Sequence, residues 1–489
     1  MKTRIKARYV IGFDGHGHRI IENGQVVYEG QNILYVGAKE FPGTVDREID
    51  CGCSLVSPGL IDLDALGDID HGLYHWEVPS QKNASLMWSK KYWDQGPREF
   101  MTPEEEAFKS LYAYAALVRA GITTAMPITS VLYKACAETY EEIEAAAYNA
   151  RDVGLRVYLG PSYQSGNRVV ASDGTTSVLY DEEAGKKGLE RAIRFANVYG
   201  GWADGLINAV MVPERIETQT IDNLVRSKAA ARDIGCPMRL HAAQGSFEYN
   251  WIVSHHSKTP LQLLDSLGIL DDRTLIPHGL FVQGFSELSN PLPGDDLALL
   301  AERKTTVIHC PLVYARGGTA LESFGRYRRA GVNMAMGTDT FPCDLLLNIS
   351  VGSMMARRVD KSPEGNRVAD FFEAATLGGA RALGRDDLGR LAAGAKADIV
   401  VFDLSGRHIG PIDDPLRTLV NSGSGRDLKL SVINGRVVFE NGRVLGIDES
   451  RLDERAQQYY DRMKASVAER DFRGQLLDEL FAPSFPAWK

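Results

Sequence analysis

Residues 305–339 read TTVIHCPLVYARGGTALESFGRYRRAGVNMAMGTD. Two short apolar runs stand at either end of this stretch, and each closes on a polar residue, His309 in the first and Asp339 in the second. Runs of this length, rich in apolar and β-branched residues, read as strands buried on both faces. Working outward, runs of the same kind recur at 55–62, 121–128, 155–161, 207–213, 237–242 and 274–280. Helical patterns fill the intervals at 140–152, 182–199 and 220–234. A further helix opens at Thr102-Pro103-Glu104-Glu105, where Thr102 is an N-cap, Pro103 lies in the first turn and Glu105 completes a capping box. Eight such strand–helix units predict an α/β fold, a (β/α)8 TIM barrel over residues 57–391. An open doubly wound sheet fits less well, because no Gly-rich phosphate turn follows the first strand.

The flanks have a different texture. Residues 1–56 hold the β-rich runs ARYVIGF, GQVVYEG and NILYVG, and residues 392–445 return to strands in ADIVVFDL, LKLSVING and RVVFENGRVLG. Residues 446–489 begin as a charged helix and end in the Pro- and aromatic-rich FAPSFPAWK.

Composition narrows the function. The chain has 489 residues, 44% hydrophobic and 24% charged, which is ordinary globular make-up. Its formal charge of −9 comes from 55 Lys+Arg against 64 Asp+Glu, with no basic block to grip nucleic acid or an anionic membrane. No apolar run approaches the ~20 residues of a membrane helix, and the first residues carry no apolar signal segment. Six dispersed cysteines make no disulfide framework. The expectation is a cytoplasmic protein, homo-oligomeric, acting on a small molecule.

In a barrel of this type the chemistry sits at the carboxyl ends of the strands. The first strand ends in Asp62-Leu63-Asp64, the fifth at His241, the sixth at His278, the seventh at His309 and the eighth at Asp339. Three of only ten histidines therefore close consecutive strands. Imidazoles and a carboxylate converging on one mouth are suitable ligands for a transition metal.

Several segments resemble the amidohydrolase superfamily, in the branch of triazine hydrolases and cytosine, guanine and adenosine-type deaminases. They are Leu55-Val-Ser-Pro-Gly-Leu-Ile-Asp62, Leu240-His241-Ala-Ala, His309-Cys310-Pro311 and Gly337-Thr338-Asp339, then Ala374 to Leu383, Gly394 to Asp398 and Ile433-Asn-Gly435. The resemblance implies a β-sandwich of residues 1–56 and 392–445 beside the barrel. It also implies water activated by one divalent metal ion, zinc or iron, with Asp339 as base. The activity implied is hydrolysis of a C–N bond other than a peptide bond (amide, amidine or ring amine) in a small polar or heterocyclic molecule. A lyase or decarboxylase on the same fold, or a catalytically silent member, are the alternatives.

The departures from the family pattern are equally specific. Where the family ends strand one with His-x-His, this chain reads Asp64-Ala65-Leu66; where its deaminases carry His-x-x-Glu, it reads His241-Ala-Ala-Gln244. Gln cannot transfer a proton as a carboxylate does. The expected metal ligands are His241, His278, Asp339 and Asp64, and the expected catalytic residues are Asp339, His278 and Gln244. His309, Arg316 and Trp88 are expected at the substrate, Arg316 by pairing with a carboxylate. Glu248 reads either as a replacement for the missing Glu or, as the preferred reading, as the solvated start of the helix after strand five, and Cys310 reads as a packed thiol. His16-Gly17-His18 reads as a surface turn. Asp68, Asp70, His71 and His75 follow strand one, and Trp76, Trp88, Tyr92 and Trp93 are placed to form an apolar lid.

Overall fold

Eight short strands form within the apolar runs: β1 (Leu60–Leu66), β2 (Ile122–Ile128), β3 (Arg156–Leu159), β4 (Ile207–Ala209), β5 (Met238–Arg239), β6 (Thr274–Pro277), β7 (Thr306–His309) and β8 (Asn333–Met336). They appear in a computed structural model that describes residues 1–69, 88–99, 101–128, 138–288 and 290–488. All pairings among them are parallel, in two four-stranded sheets ordered β4-β3-β2-β1 and β5-β6-β7-β8. Backbone contacts join the sheets beyond β4 and beyond β8. Met211, just past β4, bridges Met238 of β5 in parallel, and the Asp339 N–H past β8 donates to the Asp64 carbonyl of β1 at 2.8 Å.

The run 55–62, expected as one strand, is two. Ser54–Pro58 leaves the parallel sheet and pairs antiparallel with Ile399–Asp403. The break falls at Gly59, where a Cβ would lie 2.0 Å from Thr123 Oγ1, so only glycine lets the chain pass β2 this closely. Strands from both ends of the chain then share one continuous nine-stranded sheet, joined through that same pairing.

The helices start where the sequence signals them. Pro103–Arg119 has the Thr102–Glu105 capping box and three glutamates in its first turn, which suits the positive end of the helix dipole. Tyr140–Val153 has a second capping box from Thr139 and Glu142, and ends on Gly154 in the left-handed region. The C-terminal helix Leu452–Arg470 lies on Pro103–Arg119, with Tyr459 edge-on to Phe108 and the Arg455 guanidinium 4.2 Å from that ring's centre.

One buried ion pair ties the two sheets' domain to the terminal sheet. Arg156 opens β3 and is 1% exposed. It donates to both oxygens of Asp398 at 3.1 Å, to the Gly205 carbonyl at 2.8 Å and to Asn434 Oδ1 at 3.2 Å. Removing one partner of such a pair strands the other charge in a dry place. Arg156→Leu is expected to cost about 3–5 kcal/mol of stability, read from the urea midpoint. A loss under ~1 kcal/mol would mean that the pair does not hold the two parts together.

His16 lies exposed in the predicted turn, but His18 does not belong to a surface turn alone. Its ring meets the edges of Phe13 and Phe372, and its Nε2 lies 2.9 Å from Thr376 Oγ1. Because that hydroxyl donates to the Phe372 carbonyl at 2.7 Å, the histidine Nε2–H must be the donor to it. Burial, helped by Arg390, pushes the His18 pKa down to about 4. The folded value lies below the ordinary ~6.5, so the charged form is disfavoured on folding. The associated stability is complete above about pH 6.5 and is lost as pH falls toward 4. His18→Gln should flatten that part of a melting-temperature profile. An unchanged acid limb would remove His18 from the account.

Candidate metal centre

Strand tips build the site. Between Asp62 and Ala65 the register of β1 on β2 slips: Asp62 faces Ala125 and Ala65 faces Pro127. β1 thus carries one residue more than its partner over this interval, a bulge that re-aims the strand tip. The Asp64 carboxylate there is fully buried and points between two imidazoles.

His241 follows β5. Its Nδ1 lies 3.0 Å from the Glu214 carbonyl, which can only accept, so Nδ1 carries a proton and Nε2 is the nitrogen turned toward Asp64. That Nε2 is 3.8 Å from Asp64 Oδ2. His278 follows β6 with φ +67, a left-handed conformation uncommon outside glycine. Its Nε2 is 3.7 Å from Asp64 Oδ2 and 3.6 Å from Asp339 Oδ2. The ring is 0% exposed, and neither of its nitrogens has a hydrogen-bond partner. Burial lowers its pKa to about 3, so it is a neutral imidazole. Asp339 follows β8, again at positive φ (+43).

One ligand atom from each of Asp64, His241 and His278 lies within 4.8 Å of the others. Burial raises the Asp64 pKa, but His241, Arg239 and His278 outweigh it and hold the group below the usual carboxylate range. An anionic carboxylate, the His241 imidazole and the orphaned nitrogens of a neutral His278 fit a divalent ion. Asp339 stands close enough to His278 to complete the set.

Arg239, two residues before His241, went unread in the sequence. Its guanidinium is wholly buried, 3.6 Å from Asp64 Oδ1, and donates to the Leu63, Met126 and Pro127 carbonyls. A buried cation thus faces the second oxygen of Asp64. Tyr314 also went unread as part of the cluster; its ring meets His278 edge-on at 5.0 Å.

The remaining expected residues are distributed as follows. Gln244 is at the edge of the cluster, its Oε1 bonded to Arg215 and its backbone carbonyl to the Tyr314 hydroxyl at 3.3 Å. His309 turns away: its ring packs against Phe324 and Phe371, while Cys310 on the opposite face of the strand brings its Sγ to 3.6 Å from Asp64 Oδ2. Cys310 is a packed thiol, but one in contact with the cluster. Arg316 donates to Thr340 Oγ1 and to the Phe341 carbonyl, both at 2.7 Å. Trp88 is buried, stacked on Tyr92 and edge-on to Trp93, with the Arg470 guanidinium 5.0 Å from its ring centre. Glu248 is not a solvated helix start. It is 4% exposed, and each oxygen accepts a backbone N–H at 2.7 Å, from Ala243 and from Gln244. Asp68 pairs with Lys109 at 3.0 Å. Asp70, His71, His75 and Trp76 lie outside the described residues.

Comparison with known proteins places this geometry in context. The model of the amidohydrolase family matches residues 55–438. The 5-methylthioadenosine/S-adenosylhomocysteine deaminase of Natronomonas pharaonis is 28% identical over 421 residues, covering 85% of this chain and 88% of that one. The 5'-deoxyadenosine deaminase of Methanosarcina acetivorans is 27% identical over 458 residues, covering 93% and 96%. Two crystal structures share the fold. An adenosine deaminase from Xanthomonas campestris with bound zinc superposes with a TM-score of 0.76 at 22% identity, over 95% of this chain and 98% of that one. Atrazine chlorohydrolase from Arthrobacter aurescens, complexed with zinc, gives 0.73 at 19% identity, over 94% and 100%.

Proposed function

The chain belongs to the amidohydrolase family, and from that premise we propose that it hydrolyses a C–N bond, other than a peptide bond, in a small polar or heterocyclic molecule. The observation that carries this reading is the convergence of Asp64, His241 and His278 in one buried cluster at the strand ends, with Asp339 beside His278. In this reading β1–β8 close as a (β/α)8 barrel over 57–391. Residues 1–56 and 392–445 form its sandwich-like companion, and 446–489 a helix and tail. These four side chains would hold one zinc or iron ion. When bound, such an ion polarises the electrophile and acidifies the attacking water toward a pKa of ~7.

The chain's own residues do the rest. Asp339 takes the proton of the attacking water, since it stands beside the cluster with a carboxylate oxygen directed at His278. His278, neutral and buried, offers a nitrogen as ligand. His241 is locked by the Glu214 carbonyl. His241 and, behind it, Arg239 keep Asp64 ionised. The relatives named as deaminases support hydrolysis at a C–N bond. The free thiols of Cys51, Cys53, Cys236, Cys310 and Cys343 fit a cytoplasmic enzyme, and among the described residues no helix is long and apolar enough to cross a membrane. A homo-oligomer remains part of the proposal.

The test is product analysis with the metal-loaded protein. Ammonia, amine and acid release are followed across amides, cyclic ureides and aminoheterocycles. Hydrolysis that stops on chelation and returns with zinc is the expected result. Elimination or decarboxylation products without water incorporation from H₂¹⁸O would put a lyase in its place.

A further inference from the structure

Among the described residues β1 and β8 share no ladder, yet the tips that carry Asp64 and Asp339 lie against each other. Gly337, just past β8, lets them come this close. A Cβ there would stand 2.7 Å from Asp64 Cβ and 2.8 Å from Cys310 Sγ. A seam without a ladder needs other bonds to fix its register, and Asp62 supplies them. Its carboxylate is fully buried. Oδ1 accepts the backbone N–H groups of Thr338 at 3.1 Å and Asp64 at 3.2 Å, and Oδ2 accepts the Thr338 hydroxyl at 2.6 Å. The next residue, Asp339, donates its own N–H to the Asp64 carbonyl at 2.8 Å. Both bonds from Thr338 cross from one tip to the other, and both end on Asp62.

The conformation held in this way is unfavourable by itself. Asp339 stands at φ +43, in the left-handed region that residues with a Cβ avoid. Such a conformation persists where the surroundings over-determine it. Here Asp62 grips the residue before Asp339, and the Asp64 carbonyl takes the N–H of Asp339 itself. The outcome is that Asp339 Oδ2 lies 3.6 Å and Asp64 Oδ2 3.7 Å from the same nitrogen, Nε2 of His278. Asp62, with its oxygens turned to these donors, acts on the cluster only through its neighbours.

Resting on the metal-centre reading above, we propose that Asp62 is the positioning residue of that centre: by fastening Thr338 to the tip of β1, it sets Asp339 against the cluster of Asp64, His241 and His278. A side chain that served folding alone would change the melting temperature and leave the folded protein's affinity for an ion as it was. A positioning residue changes that affinity, and the loss of such a partner behind metal ligands costs about 10–100-fold.

The experiment measures zinc affinity on the full-length protein, by competition with a chromophoric chelator well below the melting temperature, together with the melting temperature of the metal-free form. Asp62→Ala is expected to bind zinc about 10–100-fold more weakly than the parent. Thr338→Val keeps the backbone bond and loses the hydroxyl, so its affinity should fall by about 2- to 10-fold, the net worth of one hydrogen bond. Asp62→Asn offers the same Oδ1 to both N–H groups and an amide N–H to the Thr338 hydroxyl oxygen, so it should stay within ~3-fold of the parent. Arg156→Leu, a buried change at the start of β3, is the control: it lowers the melting temperature and leaves zinc affinity at the parent's value. Asp62→Ala binding zinc as the parent does would overturn the proposal, whatever its melting temperature. So would Asp62→Asn losing zinc as fully as Asp62→Ala, because charge and not the bonded seam would then be what Asp62 supplies. If Asp62→Ala fails to fold, Thr338→Val decides, and parent affinity there would overturn the proposal. A parent that binds no zinc would overturn the metal-centre reading itself, and the proposal with it.

Discussion

Asp339→Asn is expected to lower turnover by about 10²–10⁴-fold, the range that a positioned proton acceptor contributes. The substitution keeps shape and one oxygen, so the backbone link from residue 339 to the Asp64 carbonyl at 2.8 Å is preserved. It removes only the capacity to accept a proton. Three nearby carboxylates among the described residues are each held by other groups. Asp62 accepts from the Thr338 backbone at 3.1 Å, from the Thr338 hydroxyl at 2.6 Å and from the Asp64 N–H at 3.2 Å. Asp64 faces Arg239 with one oxygen and the two histidines with the other. Glu248 is occupied by two backbone N–H groups. The variant should melt within a few degrees of the parent and still bind substrate. His16→Ala, in the exposed turn far along the sequence from every strand tip, should change neither turnover nor melting. Near wild-type kcat in Asp339→Asn would end the case for a water-activating carboxylate at this position.

Much of the frame was legible because burial on both faces leaves an unmistakable apolar run, and because polar residues that end such runs have few other reasons to be there. His241, His278, Asp339 and Asp64 were all readable in this way. What the sequence leaves open is phase. Alternation says that His309 and Cys310 face opposite ways, yet not which of them faces in. The packing of Phe324 and Phe371 decides it, and they lie 15 and 62 residues away. The bulge that swings Asp64 inward depends on the register between β1 and β2, which no local pattern encodes. Arg239 looks like an ordinary strand residue until the tips of β1 and β2 supply the carbonyls that hold it. Glu248 has the spacing of a solvated helix residue, and only the left-handed Ala243 turn (φ +54) brings two N–H groups onto its carboxylate. Gly59 shows the same limit in the fold: a continuous apolar run hides a change of sheet.

Protein purified without added metal is expected to hold about one divalent ion per chain, and His278→Ala to lose it. The reasoning starts from cost. A buried polar atom with no hydrogen-bond partner forfeits ~1–3 kcal/mol, and His278 has two such nitrogens. Evolution of a site that merely packed would fill these positions with apolar groups. An ion at the His278 Nε2 would satisfy one of them and would take Asp64 and the His241 Nε2 as its other ligands. Ligation is therefore linked to folding. At free metal 100- to 1,000-fold above its Kd, the ion adds about 2.7–4.1 kcal/mol to stability. Chelation should consequently lower the melting temperature of the parent by several degrees, and added zinc should restore it. In His278→Ala neither the chelator nor the metal should move the melting temperature, and elemental analysis should find well under one ion per chain. A parent protein that carries no metal, and that melts identically with zinc and with chelator, would show that these four side chains have kept the shape of a metal centre without its function.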